Sequence, residues 1–91
     1  MAKIGIWKLD GRFYRYCFYC PGCKDNHYLN KRWKFNGDLD RPTFTPSLLS
    51  QYNNKEICHS YITDGKIRFL TDCTHHLKGQ TVELPEYPDG D

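Results

Sequence analysis

No stretch of this chain approaches the ~20 consecutive apolar residues that a membrane-spanning helix needs, and no segment repeats its apolar residues at a helical period. A membrane partner and a helical bundle are therefore both poor readings. The opening, "MAKIGIWKLD", carries Lys3 and Lys8 where a secretory leader would need its apolar run, so a cytoplasmic setting is expected. Linkers and repeats are also lacking, and the 91 residues read as one domain with a core over 3–85 and an acidic tail over 86–91. Its five cysteines are an odd number and cannot all pair with one another. In a reducing compartment, clustered Cys and His are more often metal ligands than cross-links. A domain of this size buries only about 60–65% of its unfolded surface, and a bound metal is a common supplement to so small a core.

Charge of one sign is scarce overall, since the formal net charge is +2, but it is unevenly spread. Residues 1–41 hold nine Lys or Arg against four Asp or Glu, and residues 42–91 hold four against seven. A basic half can meet nucleic acid or an acidic protein, and it can equally be an ordinary solvated strand face.

The apolar residues alternate, which argues for strands. "KIGIWKL" and "RFYRYCFY" flank Asp10-Gly11, a dipeptide suited to a tight hairpin turn. A two-residue loop there would set Trp7 opposite Tyr14 and Ile4 opposite Cys17. "HYLNKRWKF" ends at a second turn signal, Asn36-Gly37. "DLDRPTFTPSLLS" contains Pro42 and Pro46 and should begin as an irregular or edge segment. "EICHSYIT" and "KIRFLTD" flank Asp64-Gly65, a third hairpin, and "QTVEL" is a last short strand. The expectation is an all-β domain, a small zinc-stabilised, zinc-ribbon-like antiparallel sheet of about seven short strands.

Parity along such strands sorts the cysteines of "CFYCPGC". Cys17 and Cys20 are three apart and point to opposite faces until the chain turns. Pro21-Gly22 supplies that turn and brings Cys20 and Cys23 together as a metal knuckle. Cys17 is left as a buried thiol on the face of Ile4 and Phe13. An iron–sulfur motif would continue with a fourth cysteine and a proline, but the corresponding position is His27. Zinc takes four Cys or His ligands, usually as two pairs distant in sequence. The second pair must come from Cys58, His59, Cys73, His75 or His76, with His27 as an outsider. On the Asp64-Gly65 hairpin, Cys58 shares a face with Ser60, Ile62, Ile67, Phe69 and Thr71, continuing to Cys73 and His75. That makes Cys58 the third ligand and Cys73 or His75 the fourth. His59 points the other way.

The ordered set CPGC, a histidine, a tryptophan, "PTFTPS", "CHSYITDGKIRFL" and "DCTHHLKGQTVELP" resembles a family of small proteins widespread in bacteriophages and prophages. Its members are commonly left without a function, and some are labelled "ammonia monooxygenase". The likeness spans roughly residues 17–85. It implies His75 rather than His76 as the last ligand, because the family's histidine falls there, and its tolerance of serine at the position of Cys73 leaves Cys73 the competitor. Lys78 departs from the small residue usual in the family. A thiolate-rich site gives the monooxygenase label no support. The expected cofactor is one Zn2+ per chain on Cys20, Cys23, Cys58 and His75, with Cys73, His59, His27 and His76 as alternates.

His27, His59, Asp72 and "PTFTPS" also belong to the resemblance, and a structural zinc does not need them. Asp72 could orient a ligand histidine, while Thr43, Thr45 and Ser47 could cap turns beside the prolines. Three functions compete. The first is a protein-interaction module acting on a host protein, which the phage context suggests to be a defence or transcription component. The second is a nucleic-acid binder, in which Arg12, Arg15, Lys31, Arg32 and Lys34 alternate with Tyr14, Tyr16, Tyr28 and Trp33. The third is a zinc-dependent hydrolase with His59 or Asp72 as general base. The absence of a recognisable catalytic motif favours the first.

Overall fold

The computed structural model describes residues 2–51 and 56–87. Its described residues contain no helix, hence none long and apolar enough to cross a membrane. Eight strands form two antiparallel sheets. The first joins β1 (Gly5–Leu9), β2 (Arg12–Cys20) and β3 (Asp25–Leu29) in that order. The second runs β4 (Lys34–Phe35), β5 (Phe44–Gln51), β6 (Ile57–Thr63), β7 (Lys66–Phe69) and β8 (Thr81–Glu83), again in sequence order. Only neighbours in sequence pair, so each connection is local.

The turn dipeptides act as their chemistry requires. Asp10 and Gly11 have φ of 53° and 76°, and Asp64 and Gly65 have 51° and 79°, the left-handed pair of a two-residue hairpin. The second hairpin has the expected register, with Thr63 opposite Lys66 and Ile62 opposite Ile67. The first does not. A bulge between Trp7 and Lys8 shifts the ladder by one, so Trp7 faces Arg15 rather than Tyr14, and Gly5 rather than Ile4 faces Cys17. "HYLNKRWKF" is likewise not continuous. Asn30 turns the chain by accepting from the Arg32 and Trp33 backbone N–H groups, on its side chain and carbonyl respectively, and this separates β3 from β4.

The proline-bearing segment begins irregularly, as expected, with no strand over 38–43, and then enters the sheet as an inner strand, not an edge. β5 lies between β4 and β6, and Pro46 is accommodated where its ladder with β6 breaks between Phe44 and Leu48. The break leaves Thr45, Pro46 and Ser47 outside the pairing with β6, although Thr45 still pairs with Lys34 of β4. Ser47 emerges from it half-buried.

Between the sheets lies the core, with Phe18, Leu29, Phe44, Ile62, Ile67, Phe69 and Leu84 buried. Truncating one of its phenylalanines to alanine should cost about 3–5 kcal/mol. The inward set Cys58, Ser60, Ile62, Ile67 and Phe69 is buried as parity requires, but β7 ends at Phe69 and Thr71 is exposed. Cys73 and His75 therefore reach the interior from a loop, not from a continuing strand. At the C-terminal side, Tyr87 donates from its backbone to the Ala2 carbonyl, and its ring packs on Gly5, where a Cβ would meet it at 2.5 Å. The rest of the expected acidic tail, 88–91, falls outside the described residues.

Candidate functional site

Two constellations sit back to back across β6. Successive residues of a strand point to opposite faces, so Cys58 is directed into the core and His59 toward the surface.

On the inner side, Cys20, Cys23, His27 and Cys58 present ligand atoms that all lie within 4.8 Å of one another. This cluster could hold a metal ion. The β2–β3 hairpin builds half of it: Cys20 ends β2, the Cys23 N–H donates to Cys20 Sγ at 3.4 Å, and Phe18 pairs with His27 across the ladder. That register puts His27 on the face of Cys20, one diagonal away. Cys58 arrives from the other sheet with its sulfur 3.8 Å from that of Cys20. A tetrahedron with metal–sulfur bonds of about 2.3 Å has sulfur–sulfur edges of about 3.8 Å. The donors therefore fit zinc in type and in spacing. The two thiols share charge unequally: the Cys58 hydrogen bond pulls the Cys20 thiol well below its ordinary range, and that same bond, with burial, pushes Cys58 up. His27 Nδ1 meets Ser50 Oγ at 3.3 Å, an outer partner that fixes the ring as ligand imidazoles require.

His75, expected as the fourth ligand, is not in that set of four. It belongs to a second group with Cys58 and Cys73, its Nε2 3.5 Å from Cys58 Sγ. Its Nδ1 accepts from the Leu77 N–H, and its ring lies so close over Gly22 that any Cβ there would collide with it. His75 thus packs against the knuckle and shares Cys58 with the first group. His76 is exposed and in neither group. Cys17 is fully buried, lies outside both groups, and has its thiol pushed up by burial.

On the outer side the structure assembles something the sequence reading did not: Ser47, His59 and Asp72. Ser47 Oγ lies 3.1 Å from His59 Nε2, and His59 Nδ1 lies 3.0 Å from Asp72 Oδ2. An ionised carboxylate only accepts, so Nδ1 carries the proton and Nε2 is left with a lone pair facing the serine hydroxyl. Asp72 does orient a histidine, but it is this one. Ser47 caps no turn, whereas Thr43 does, accepting from the Asp64 N–H at 2.8 Å. Each partner is held in place. Trp33 Nε1 donates to the Ser47 carbonyl at 3.4 Å. Cys73, next to Asp72, accepts from the His59 N–H at 3.2 Å and donates to the His59 carbonyl at 3.1 Å. The loop carrying Asp72 is thereby strapped to the strand carrying His59. A cleft of about 420 Å³ lined by His59, Arg68, Leu70 and Asp72 opens beside His59 and Asp72; Ser47 does not line it.

A serine, a histidine and an aspartate in this relay are recognised by geometry and not by order in the chain. Residues 3–70 match the family described as "Bacterial ubiquitination-like system serine protease (BubE)". The chain belongs to the BubE family. No curated protein and no solved structure is detectably similar to it. The match contains Ser47 and His59 and stops two residues short of Asp72. The "PTFTPS" motif ends at Ser47, but in the sequence its hydroxyl residues read as turn caps, not as a nucleophile. Its approach to His59 comes from the break in the β5–β6 ladder between Phe44 and Leu48, which the sequence does not show.

Proposed function

We propose that this BubE-family chain is a serine protease in which Ser47 is the nucleophile, His59 the general base and acid, and Asp72 the residue that orients His59. The hydrogen-bonded relay from Ser47 through His59 to Asp72 carries the reading. Ser47 Oγ attacks the scissile carbonyl carbon as its proton passes to His59 Nε2, and Asp72 stabilises the imidazolium. The carbon–nitrogen bond then breaks while His59 returns the proton to the departing amine. Water, deprotonated by His59, releases the acyl group from Ser47. The family's description sets its members in a bacterial ubiquitination-like system, and the substrate we infer is an amide bond to a ubiquitin-like protein.

The metal in this reading is one Zn2+ on Cys20, Cys23, His27 and Cys58. Four protein donors close the coordination sphere, so the ion's part is structural. By tying β2 and β3 to β6 it fixes the strand that presents His59. This differs from a zinc-dependent hydrolase, where an open coordination position would activate water.

An interaction role keeps one observation in its favour. On the first sheet the Arg15 guanidinium lies 3.8 Å from the centre of the Tyr28 ring, 4.7 Å from that of Trp7 and 4.9 Å from that of Tyr14, forming an exposed aromatic platform for a partner protein. The same stacking counts against nucleic acid, because rings that would stack on bases are already engaged.

Treatment with a fluorophosphonate and peptide mass mapping tests the protease reading. One adduct on Ser47, lost in His59→Ala with fold and metal retained, is expected. Labelling elsewhere, or none, would sink it.

A further inference from the structure

The outward face of the β6–β7 hairpin runs directly on from the triad. His59, Tyr61 and Thr63 point outward from β6, and Lys66, Arg68 and Leu70 from β7 and its end, with Tyr61 opposite Arg68 and Thr63 opposite Lys66. The cleft at His59 and Asp72 shares Arg68 and Leu70 with a neighbouring cleft lined by Tyr61, Thr63, Lys66 and Thr81, so the two form one groove. Tyr61 is an exposed large apolar residue in it.

The charges along this groove do not cancel. Asp64 at its far end is held by Arg41, with Nε 3.1 Å from Oδ1, and Asp72 is held by His59. Glu83, opposite Lys66 in the β7–β8 register, is held by Lys3 Nζ at 2.6 Å. Among the described residues, Arg68 and Lys66 enter no ion pair. With His59 neutral the Asp72 carboxylate keeps its charge, so Arg68 and Lys66 leave a net excess of one positive charge on a surface that begins at the catalytic base. Arg68 sits one residue pair beyond His59, about 7 Å along the strand, a distance its long side chain can span.

We propose that Arg68, supported by Lys66, is a specificity residue that selects substrates with an acidic side chain within two residues of the scissile bond. The proposal rests on the serine-protease reading. A planar guanidinium in a groove pairs a carboxylate bidentately and ranks it above a neutral residue, while a lysine or arginine there would be repelled. Tyr61 and Leu70 supply the apolar floor along which the adjoining residues lie.

The test incubates the full chain with a peptide library prepared by digesting a bacterial proteome, and maps the cleaved bonds by mass spectrometry. Ser47→Ala, Arg68→Gln and Arg68→Glu run in parallel, each checked for fold and bound zinc. The expected result is Asp and Glu enriched several-fold within two positions of cleaved bonds, flattened in Arg68→Gln and replaced by Lys and Arg in Arg68→Glu. Cleavage without acidic enrichment, or a preference unchanged in Arg68→Glu, overturns the specificity proposal and leaves the triad standing. Wild-type cleavage no greater than that of Ser47→Ala overturns the protease reading, and the proposal with it.

Discussion

Replacing Asp72 with asparagine is the most searching change to make at the triad. The two side chains are nearly the same shape, so the 3.0 Å contact to His59 Nδ1 can persist, but an amide can turn either its oxygen or its NH2 toward the ring. With the NH2 turned inward, Nδ1 must accept, and the imidazole proton moves to Nε2. That proton then faces the Ser47 hydroxyl at 3.1 Å, where a lone pair is needed. The imidazolium formed during attack also loses its counter-charge. In a buried triad this substitution costs about 10⁴ in kcat, or roughly 5.5 kcal/mol of barrier. Here the Asp72 side chain is 53% exposed and that of His59 26%, so water can partly replace the carboxylate. The expected loss is therefore about 10²–10⁴, with KM little changed because Asp72 does not touch the substrate carbonyl. Hydrolysis of an activated ester under saturating and limiting substrate would measure it, together with the rate of fluorophosphonate capture at Ser47. Zinc content and the circular dichroism spectrum should match wild type, since Asp72 is outside the metal cluster. A kcat within twofold of wild type would mean that the His59–Asp72 contact is only a surface ion pair, and the catalytic argument would fail.

Cys20→Ser or Cys23→Ser should abolish zinc binding and unfold the domain, because structural zinc contributes about 10–16 kcal/mol near neutral pH against the few that so small a core supplies; elemental analysis and thermal melts decide it. Cys17→Ala should keep the metal and cost only about 1–3 kcal/mol in a denaturant titration, since that thiol is packed on the other side of β2. His27→Ala should lose stoichiometric zinc, whereas His75→Ala should weaken binding by no more than about 10–100-fold, the usual effect of an outer partner; competition with a chelator reads both, and the reverse ranking would make His75 the ligand. Cys73→Ala should lower kcat while leaving zinc bound, and Cys73→Ser, which can still accept from and donate to the His59 backbone, should restore much of it.

The all-β class, the two Asp-Gly hairpins and the knuckle at Cys20 and Cys23 were legible in the sequence. Alternation, turn dipeptides and cysteine spacing are local properties, enforced by backbone sterics and by ligand geometry wherever they occur. The inward direction of Cys58 and the outward direction of His59 followed from the same parity. The same parity with Leu29 directs His27 inward, as observed, but it could not say that His27 lies beside the thiols. His27 joins the thiols because Phe18 pairs with it across the ladder, and His75 comes from a loop, because β7 stops at Phe69 and the chain is carried back over Gly22. The triad needed still more of the tertiary structure. A break in the β5–β6 ladder presents Ser47, an intact ladder beside it presents His59, and a loop strapped by Cys73 delivers Asp72. Parity arguments lapse at such irregularities, since one displaced residue reverses every face beyond it. The sequence by itself determined which elements form and which way most of their side chains point. Only the packing of two irregular segments, the broken stretch of β5 and the loop at Cys73, around β6 decided that a serine, a histidine and an aspartate would meet.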